Sequence, residues 1–301
     1  MLLDTYGKYV FYDGAMGTML QKSGLKPGER PDILCMRAPE AVENVHRMYV
    51  EAGSDIICAN TFGANTEALR RTDFSPSDII NAAVAIAKRA SGGTAKVALD
   101  IGPIGVLLEP MGDLEFGEAY ELFREQAVAG EKAGADLAAI ETMSDVTELK
   151  AAILAVKENT DLPVFATMTF DKMGRTYLGY TPEDFVETAG RSGADAIGIN
   201  CSLEPAEMFS TAERIAKATT LPLIVKPNAG LPDSTTGLYS IGPAEFARQM
   251  LRFAEIGVRI IGGCCGTTPE YIRELRKAFE ELGTKQSNSN EKSHNIASSR
   301  A

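Results

Sequence analysis

Cys201 and the adjacent pair Cys264-Cys265 are the residues of this chain best placed to hold a metal. Cys201 closes the apolar run GINC and the pair closes IIGGCC, so each ends a stretch that reads as a buried strand. Three thiolates brought to one place can ligate Zn²⁺ in a tetrahedron with one corner left over, and an open corner marks a catalytic zinc rather than a structural one. Two glycines precede the pair and one follows it, which suits close backbone approach better than core filling. Other readings stay open. Free cysteines are often small buried hydrophobes, the reading taken here for Cys35 and Cys58. A vicinal disulfide would be strained and out of place in a reducing compartment. A Gly-rich turn ahead of a helix can bind phosphate, although two cysteines are an odd choice for that task. The only histidines, His46 in a helical pattern and His294 in a polar stretch, give little support to a histidine base.

The elements that would position these thiols repeat along the chain. EAGSDIICA (51–59), KAGADLAAI (132–140), RSGADAIGI (191–199) and EIGVRIIGG (255–263) each read as a helix end, a glycine and a short apolar run. The glycine allows a left-handed residue that stops the helix without a Cβ penalty. Further apolar runs at 9–13, 96–102, 163–170 and 222–228 bring the strands to eight. Helical patterns near 39–52, 75–91, 117–133, 145–159, 181–192, 204–219, 242–256 and 268–282 alternate with them, several opening with Ser-Pro or Thr-Pro caps. Strands apolar on both faces, alternating with helices, imply a parallel sheet, and eight such units close most economically into a single-domain α/β fold, the (β/α)8 TIM barrel. A doubly wound open sheet is the alternative. In a barrel the chemistry sits at the C-terminal strand ends: Asp13, Asn60, Asp100, Glu141, Thr169, Cys201, Asn228 and Cys264-Cys265.

Composition bounds what these residues can serve. The chain has 301 residues, 45% hydrophobic and 24% charged, with a formal charge of -11. That surplus of acid argues against nucleic acid and against an anionic membrane surface. No signal-peptide pattern and no long apolar stretch is visible, so a cytoplasmic protein is expected. The barrel is expected to span 1–283, with 284–301 a disordered polar tail or linker.

The motifs DGAMGT (13–18), ANTFGAN (59–65), DIGPIG (100–105), ETM (141–143), INCS (199–202), KPNAG (226–230) and GGCCGTTP (262–269), taken in order, resemble the homocysteine S-methyltransferase family. The resemblance covers about residues 8–282. GDLEFGEAYELF (112–123) and DGAMGTML are more similar to the homocysteine-binding domain of cobalamin-dependent methionine synthase than to enzymes using S-methylmethionine or betaine. The resemblance implies that Cys201, Cys264 and Cys265 bind zinc and that Asp13 and Glu141 bind the amino group of homocysteine. It further implies that main-chain N–H groups of Gly14, Ala15, Met16, Gly17 and Thr18 face the substrate carboxylate, and that Asn228 fills the fourth zinc position when the thiol is absent.

That ligand set suits the chemistry. An alkyl thiol with a pKa near about 8.5 is mostly protonated at neutral pH, and the thiol is a poor nucleophile. Zinc removes the proton, and three cysteine thiolates bring the site to about -1, which leaves an added sulfur electron-rich. The expected activity is therefore methyl transfer to homocysteine, giving methionine. Methylcobalamin on a corrinoid-binding partner protein or domain is the expected donor, with S-methylmethionine, S-adenosylmethionine and betaine as rivals. A betaine site would want aromatic residues around the cation, and the chain has no tryptophan. A non-catalytic thiol- or zinc-binding subunit is the reading from another class, and a barrel aldolase would need Lys226 as its Schiff base.

Overall fold

The computed structural model describes residues 7–26, 28–233, 236–237 and 239–298, with side chains as far as Thr284. Eight strands form one parallel sheet: β1 (Val10–Phe11), β2 (Ile56–Cys58), β3 (Lys96–Ile101), β4 (Leu137–Met143), β5 (Val164–Met168), β6 (Ala196–Asn200), β7 (Leu223–Lys226) and β8 (Val258–Ile261). Their order is β1-β8-β7-β6-β5-β4-β3-β2. A parallel bridge between Tyr12 and Ile56, with Asp13 N–H donating to the Ile56 carbonyl at 3.0 Å, joins the two outer strands. The sheet is thus the expected (β/α)8 barrel.

The eight expected helices are present as α3 (Pro39–Glu51), α5 (Pro76–Ser91), α6 (Phe116–Ala133), α7 (Val146–Asn159), α8 (Pro182–Ser192), α9 (Pro205–Ala218), α10 (Pro243–Met250) and α11 (Pro269–Ser298). A 3-10 segment, Leu251–Ile256, continues α10. Three short helices were not expected: α1 (Met16–Lys22), α2 (Leu34–Arg37) and α4 (Thr66–Leu69). Each is too brief to show a hydrophobic period. The expected boundary near 283–284 falls inside α11, and the side chains beyond Thr284 lie outside the described residues. Among the described residues no helix is long and apolar enough to cross a membrane.

The repeated glycines end their helices as the spacing requires, with φ of 100° at Gly53, 94° at Gly134, 93° at Gly193 and 81° at Gly257. Two residues after the first three stands an aspartate, and its carboxylate caps the start of a neighbouring strand. Asp55, Asp136 and Asp195 accept from Phe11 N, Val97 N and Val164 N at 2.9, 2.8 and 2.7 Å. The fourth repeat has Arg259 in that slot, and its guanidinium donates instead to the Lys8 carbonyl at 3.2 Å.

Strand parity sorts the rest. Val97, Leu99 and Ile101 of β3 join the large core under the helices, whereas Ala98 packs inside the barrel with Val10, Ile56, Leu137, Phe165 and Ile260. One step further along each strand, the same inward parity carries Cys58, Asp100, Glu141, Thr167, Asn200 and Lys226. The apolar plug is therefore topped by a layer of polar side chains directly beneath the mouth.

Glu148 is one of the buried acids outside that layer. Glu148, in the first turn of α7, is buried and accepts from Ile104 N at 2.7 Å. Burial pushes its carboxyl up to about 7, the Ile104 N–H opposing and Asp145 assisting. A carboxyl raised in the folded state binds a proton that the unfolded chain releases, so stability is lost as pH rises from the ordinary value of 4.5 through about 7. Glu148→Gln keeps an acceptor for Ile104 and removes the ionisation. It is expected to stabilise the protein by about 2–3 kcal/mol at pH 8.5 and by little at pH 4. Denaturant melts of both proteins at the two pH values check this; an equal shift at both would contradict it.

Candidate active site

The ends of β6 and β8 bring Cys201, Cys264 and Cys265 together, their Sγ atoms all within 4.8 Å of one another. Cys201 Sγ and Cys265 Sγ are 3.7 Å apart. The backbone fixes this cluster from several sides. Cys201 N–H donates to the Lys226 carbonyl at 3.0 Å, Cys264 N–H to the Pro227 carbonyl at 2.8 Å, and Ala229 N–H to the Cys265 carbonyl at 2.9 Å. Thr267 Oγ1 donates to the Cys264 carbonyl at 2.6 Å. The two glycines ahead of the pair leave no room for side chains. A Cβ on Gly262 would stand 2.6 Å from Tyr12 Cβ, and one on Gly263 would overlap Thr267. The expectation that these glycines serve close backbone approach is met.

The thiols suit a dication. Hydrogen bonds from Cys264 and Cys265 hold the Cys201 thiol down, to about 3. The same contacts, with burial, hold Cys264 up, and Cys265 is pushed up to about 12. The mutual hydrogen bonds thus favour the thiolate at Cys201 and the thiol at the other two, and a Zn²⁺ among the sulfurs would draw out the remaining protons. Asn228, also buried, has an Oδ1 with no hydrogen-bond partner among the described residues. A neutral, unsatisfied oxygen on a side chain that reaches Cys201 is the donor a fourth metal position can use and give up. By these two observations the residues fit a zinc ion.

Asn200 ties the thiols to the polar layer. It is fully buried, and its Oδ1 accepts from Thr142 N at 2.9 Å and from Thr167 Oγ1 at 2.8 Å. Its Nδ2 donates to Thr142 Oγ1 at 2.7 Å and to Cys264 Sγ at 3.9 Å. Thr142, Cys201 and Ser202 all have φ near the left-handed region, at 63°, 60° and 60°. Such strain in β-branched and polar residues persists only where surrounding contacts hold it.

The remaining site residues meet inside this layer. Asp13 is buried and its Oδ2 accepts from Cys58 N at 2.8 Å. Burial pushes its carboxyl up to about 7, with Lys226 and the Cys58 N–H pulling the other way. Glu141 forms a close ion pair with Lys226, whose Nζ lies 4.5 Å from the centroid of the Tyr12 ring. Burial alone would lower the Lys226 ammonium, but the ionisable groups around it, Glu141 first, more than reverse that. A protonated, ion-paired lysine is no free amine, which removes the support for an aldolase.

Gly14 lies against Thr267 and the Tyr49 hydroxyl so closely that no Cβ would fit. Ala15 N–H donates to the Thr267 carbonyl at 3.1 Å. Met16, Gly17 and Thr18 open α1, where helix geometry gives the first N–H groups no backbone acceptor. Thr18 Oγ1 also accepts from Gly266 N at 3.2 Å, locking this turn to the cysteine loop. Cys35 is buried, as expected, with its sulfur 3.7 Å from the Asn60 carbonyl. Cys58 is not a simple core residue, because its sulfur lies within 4.8 Å of carboxylate oxygens of Asp100 and Glu141. His46 is fully buried in α3, away from the strand ends, and burial lowers it to about 4. His294 lies outside the residues whose side chains are described.

Residues 10–279 match the family model of homocysteine S-methyltransferase. Methionine synthase of Mycobacterium leprae (strain TN) is 34% identical over 300 residues, 92% of this chain and 25% of that protein. Methionine synthase of Mycobacterium tuberculosis (strain ATCC 25618 / H37Rv) is 34% identical over 304 residues, 93% of this chain and 25% of that protein. The chain thus spans about a quarter of the length of the curated relatives it matches. Among solved structures, the metallated form of the homocysteine methyltransferase MmuM from Escherichia coli shares the fold, with a TM-score of 0.79 at 23% identity over 92% of this chain and 98% of that one.

Proposed function

The chain belongs to the homocysteine S-methyltransferase family, and from that premise we propose that it transfers a methyl group to the sulfur of homocysteine, giving methionine. The observation that carries the reading is the convergence of Cys201, Cys264 and Cys265 on the edge of a buried layer of acids. Thiol activation and amino-acid recognition then lie side by side.

The three cysteines would hold zinc, with Asn228 as the exchangeable fourth donor. When bound, zinc supplies the acidity that lets an alkyl thiol ionise at neutral pH. The protein's own residues do the rest. Asp13 and Glu141 give the mouth the negative charge that favours an ammonium-bearing thiol over a neutral one. The N–H groups of Met16, Gly17 and Thr18, at the start of α1, face the substrate carboxylate, whereas that of Ala15 is already taken by the Thr267 carbonyl. The β6 and β8 ends place the three cysteines at the mouth of the barrel, so a substrate sulfur held there would be open to a methyl donor arriving from outside. The sulfur forms its new bond to that methyl carbon as the donor leaves with the bonding electrons, and the thiol proton is lost to solvent.

For the donor we favour a methyl-corrinoid carried by a partner protein or domain. Two features support this. The curated relatives named methionine synthase are about four times longer than the matched region. The loops around the mouth also leave Phe62, Leu107, Met111, Met173, Tyr177 and Leu231 exposed. In this reading residues 1–283 form the barrel, 284–301 a tail or linker, and the protein works in the cytoplasm.

The test is to incubate zinc-loaded protein with homocysteine and, separately, methylcobalamin, S-methylmethionine, S-adenosylmethionine or betaine. Methionine formed from methylcobalamin is the expected result. Turnover with S-methylmethionine and none with methylcobalamin would overturn the donor assignment. Homocysteine binding without turnover from any donor would favour a non-catalytic subunit.

A further inference from the structure

We infer that Asp100 completes the ammonium pocket, supplying a buried carboxylate oxygen that no group of the protein partners among the described residues; this rests on the reading that a thiol amino acid binds at this mouth. The two acids assigned to the amino group are both engaged inside the protein. Asp13 holds the end of β2 by accepting from Cys58 N at 2.8 Å, and Glu141 is ion-paired with Lys226. Asp100 differs from both. It is 8% exposed, and its Oδ1 is buried with no hydrogen-bond partner among the described residues.

Its placement is built rather than incidental. Asp100 N–H donates to Thr61 Oγ1 at 3.0 Å while Thr61 Oγ1 donates back to the Asp100 carbonyl at 2.8 Å, so the loop after β2 pins this strand end. Strand parity turns the side chain inward, the face on which Ala98 packs inside the barrel. There a carboxylate oxygen lies within 4.8 Å of a Glu141 oxygen and of Cys58 Sγ. Three carboxylates, those of Asp13, Asp100 and Glu141, thus share one resident cation, Lys226. A substrate ammonium supplies a second positive charge and the donors that a buried, unpartnered carboxylate oxygen lacks. A thiol without an amine supplies neither.

The experiment is calorimetric titration of the zinc-loaded full chain with homocysteine and with 4-mercaptobutyrate, which keeps the thiol and carboxylate but has no amine. Wild-type protein, Asp100→Asn and Asp100→Ala are compared, with zinc content and melting temperature measured for each. Both variants are expected to lose homocysteine affinity by roughly 10- to 100-fold. Their affinity for 4-mercaptobutyrate and their zinc content stay as in wild type. Equal losses for the two thiols, or unchanged homocysteine affinity, would overturn the assignment. Should Asp100→Asn not fold, Asp100→Ala carries the comparison, and wild-type protein that binds both thiols equally overturns the assignment without any variant. Wild-type protein that binds neither thiol overturns the functional reading and this inference together.

Discussion

Serine at any one of Cys201, Cys264 or Cys265 is expected to weaken zinc binding by roughly 100- to 1,000-fold and to abolish methionine formation at ordinary zinc concentrations. The magnitude follows from dividing the roughly 10–16 kcal/mol of a four-ligand zinc site among its donors. A serine hydroxyl is far harder to ionise than a thiol, so the lost donor is not replaced. Geometry makes the three residues equivalent, because all three sulfurs lie within 4.8 Å of one another and each sits on backbone fixed by its neighbours. Cys35→Ser and Cys58→Ser are the controls. Cys35 packs against Asn60, and Cys58 faces Asp100 and Glu141 rather than the trio. Competition against a chelator of known affinity gives the metal constants. A trio variant that holds zinc as tightly as its parent would remove the basis for the proposed function.

The positions of those three thiols were legible because each ends an apolar run, and a barrel assembles strand ends at one mouth. The same argument placed Asp13, Glu141 and Asn228. What it missed has more than one cause. Asp100 was visible as a strand end but was given no role, and Asn200 and Lys226 stand one or two residues short of the ends at Cys201 and Asn228. Reading ends alone overlooks the layer beneath them, although alternation along each strand would have carried Ala98 to Asp100 and Ile224 to Lys226. Hydrogen bonding could not be recovered in this way. That Asn200 links Thr142, Thr167 and Cys264 depends on β4, β5, β6 and β8 meeting in space. The short helices α1, α2 and α4 escaped for a different reason: one turn or two of helix carries no period.

Lys226→Met is the second change expected to have a large effect, destabilising the fold by about 3–5 kcal/mol. Methionine matches the length and apolar stem of lysine, so the core beneath Tyr12 stays filled and the change isolates the charge. Lys226 and Glu141 have side-chain exposures of only 5% and 12%, and Lys226 also neutralises its neighbours Asp13 and Asp100. Removing the single resident cation leaves three carboxylates in a desolvated layer, and the penalty is that of stranded charge rather than of one lost contact. The pH dependence has a definite sign. Asp13 and Asp100 are already raised by burial and held back in part by Lys226, so without it the folded protein keeps protons that the unfolded chain gives up. Stability of the variant therefore falls further behind wild type as pH rises above the ordinary carboxylate range, and the gap narrows toward pH 4. Adding Glu141→Gln to Lys226→Met withdraws one of the stranded charges and is expected to restore part of the loss. Urea unfolding of the single and double variants at pH 5 and pH 8 separates the possibilities. A double variant no more stable than the single one would mean that Glu141 and Lys226 do not balance each other, and that the polar layer is held by its hydrogen bonds alone.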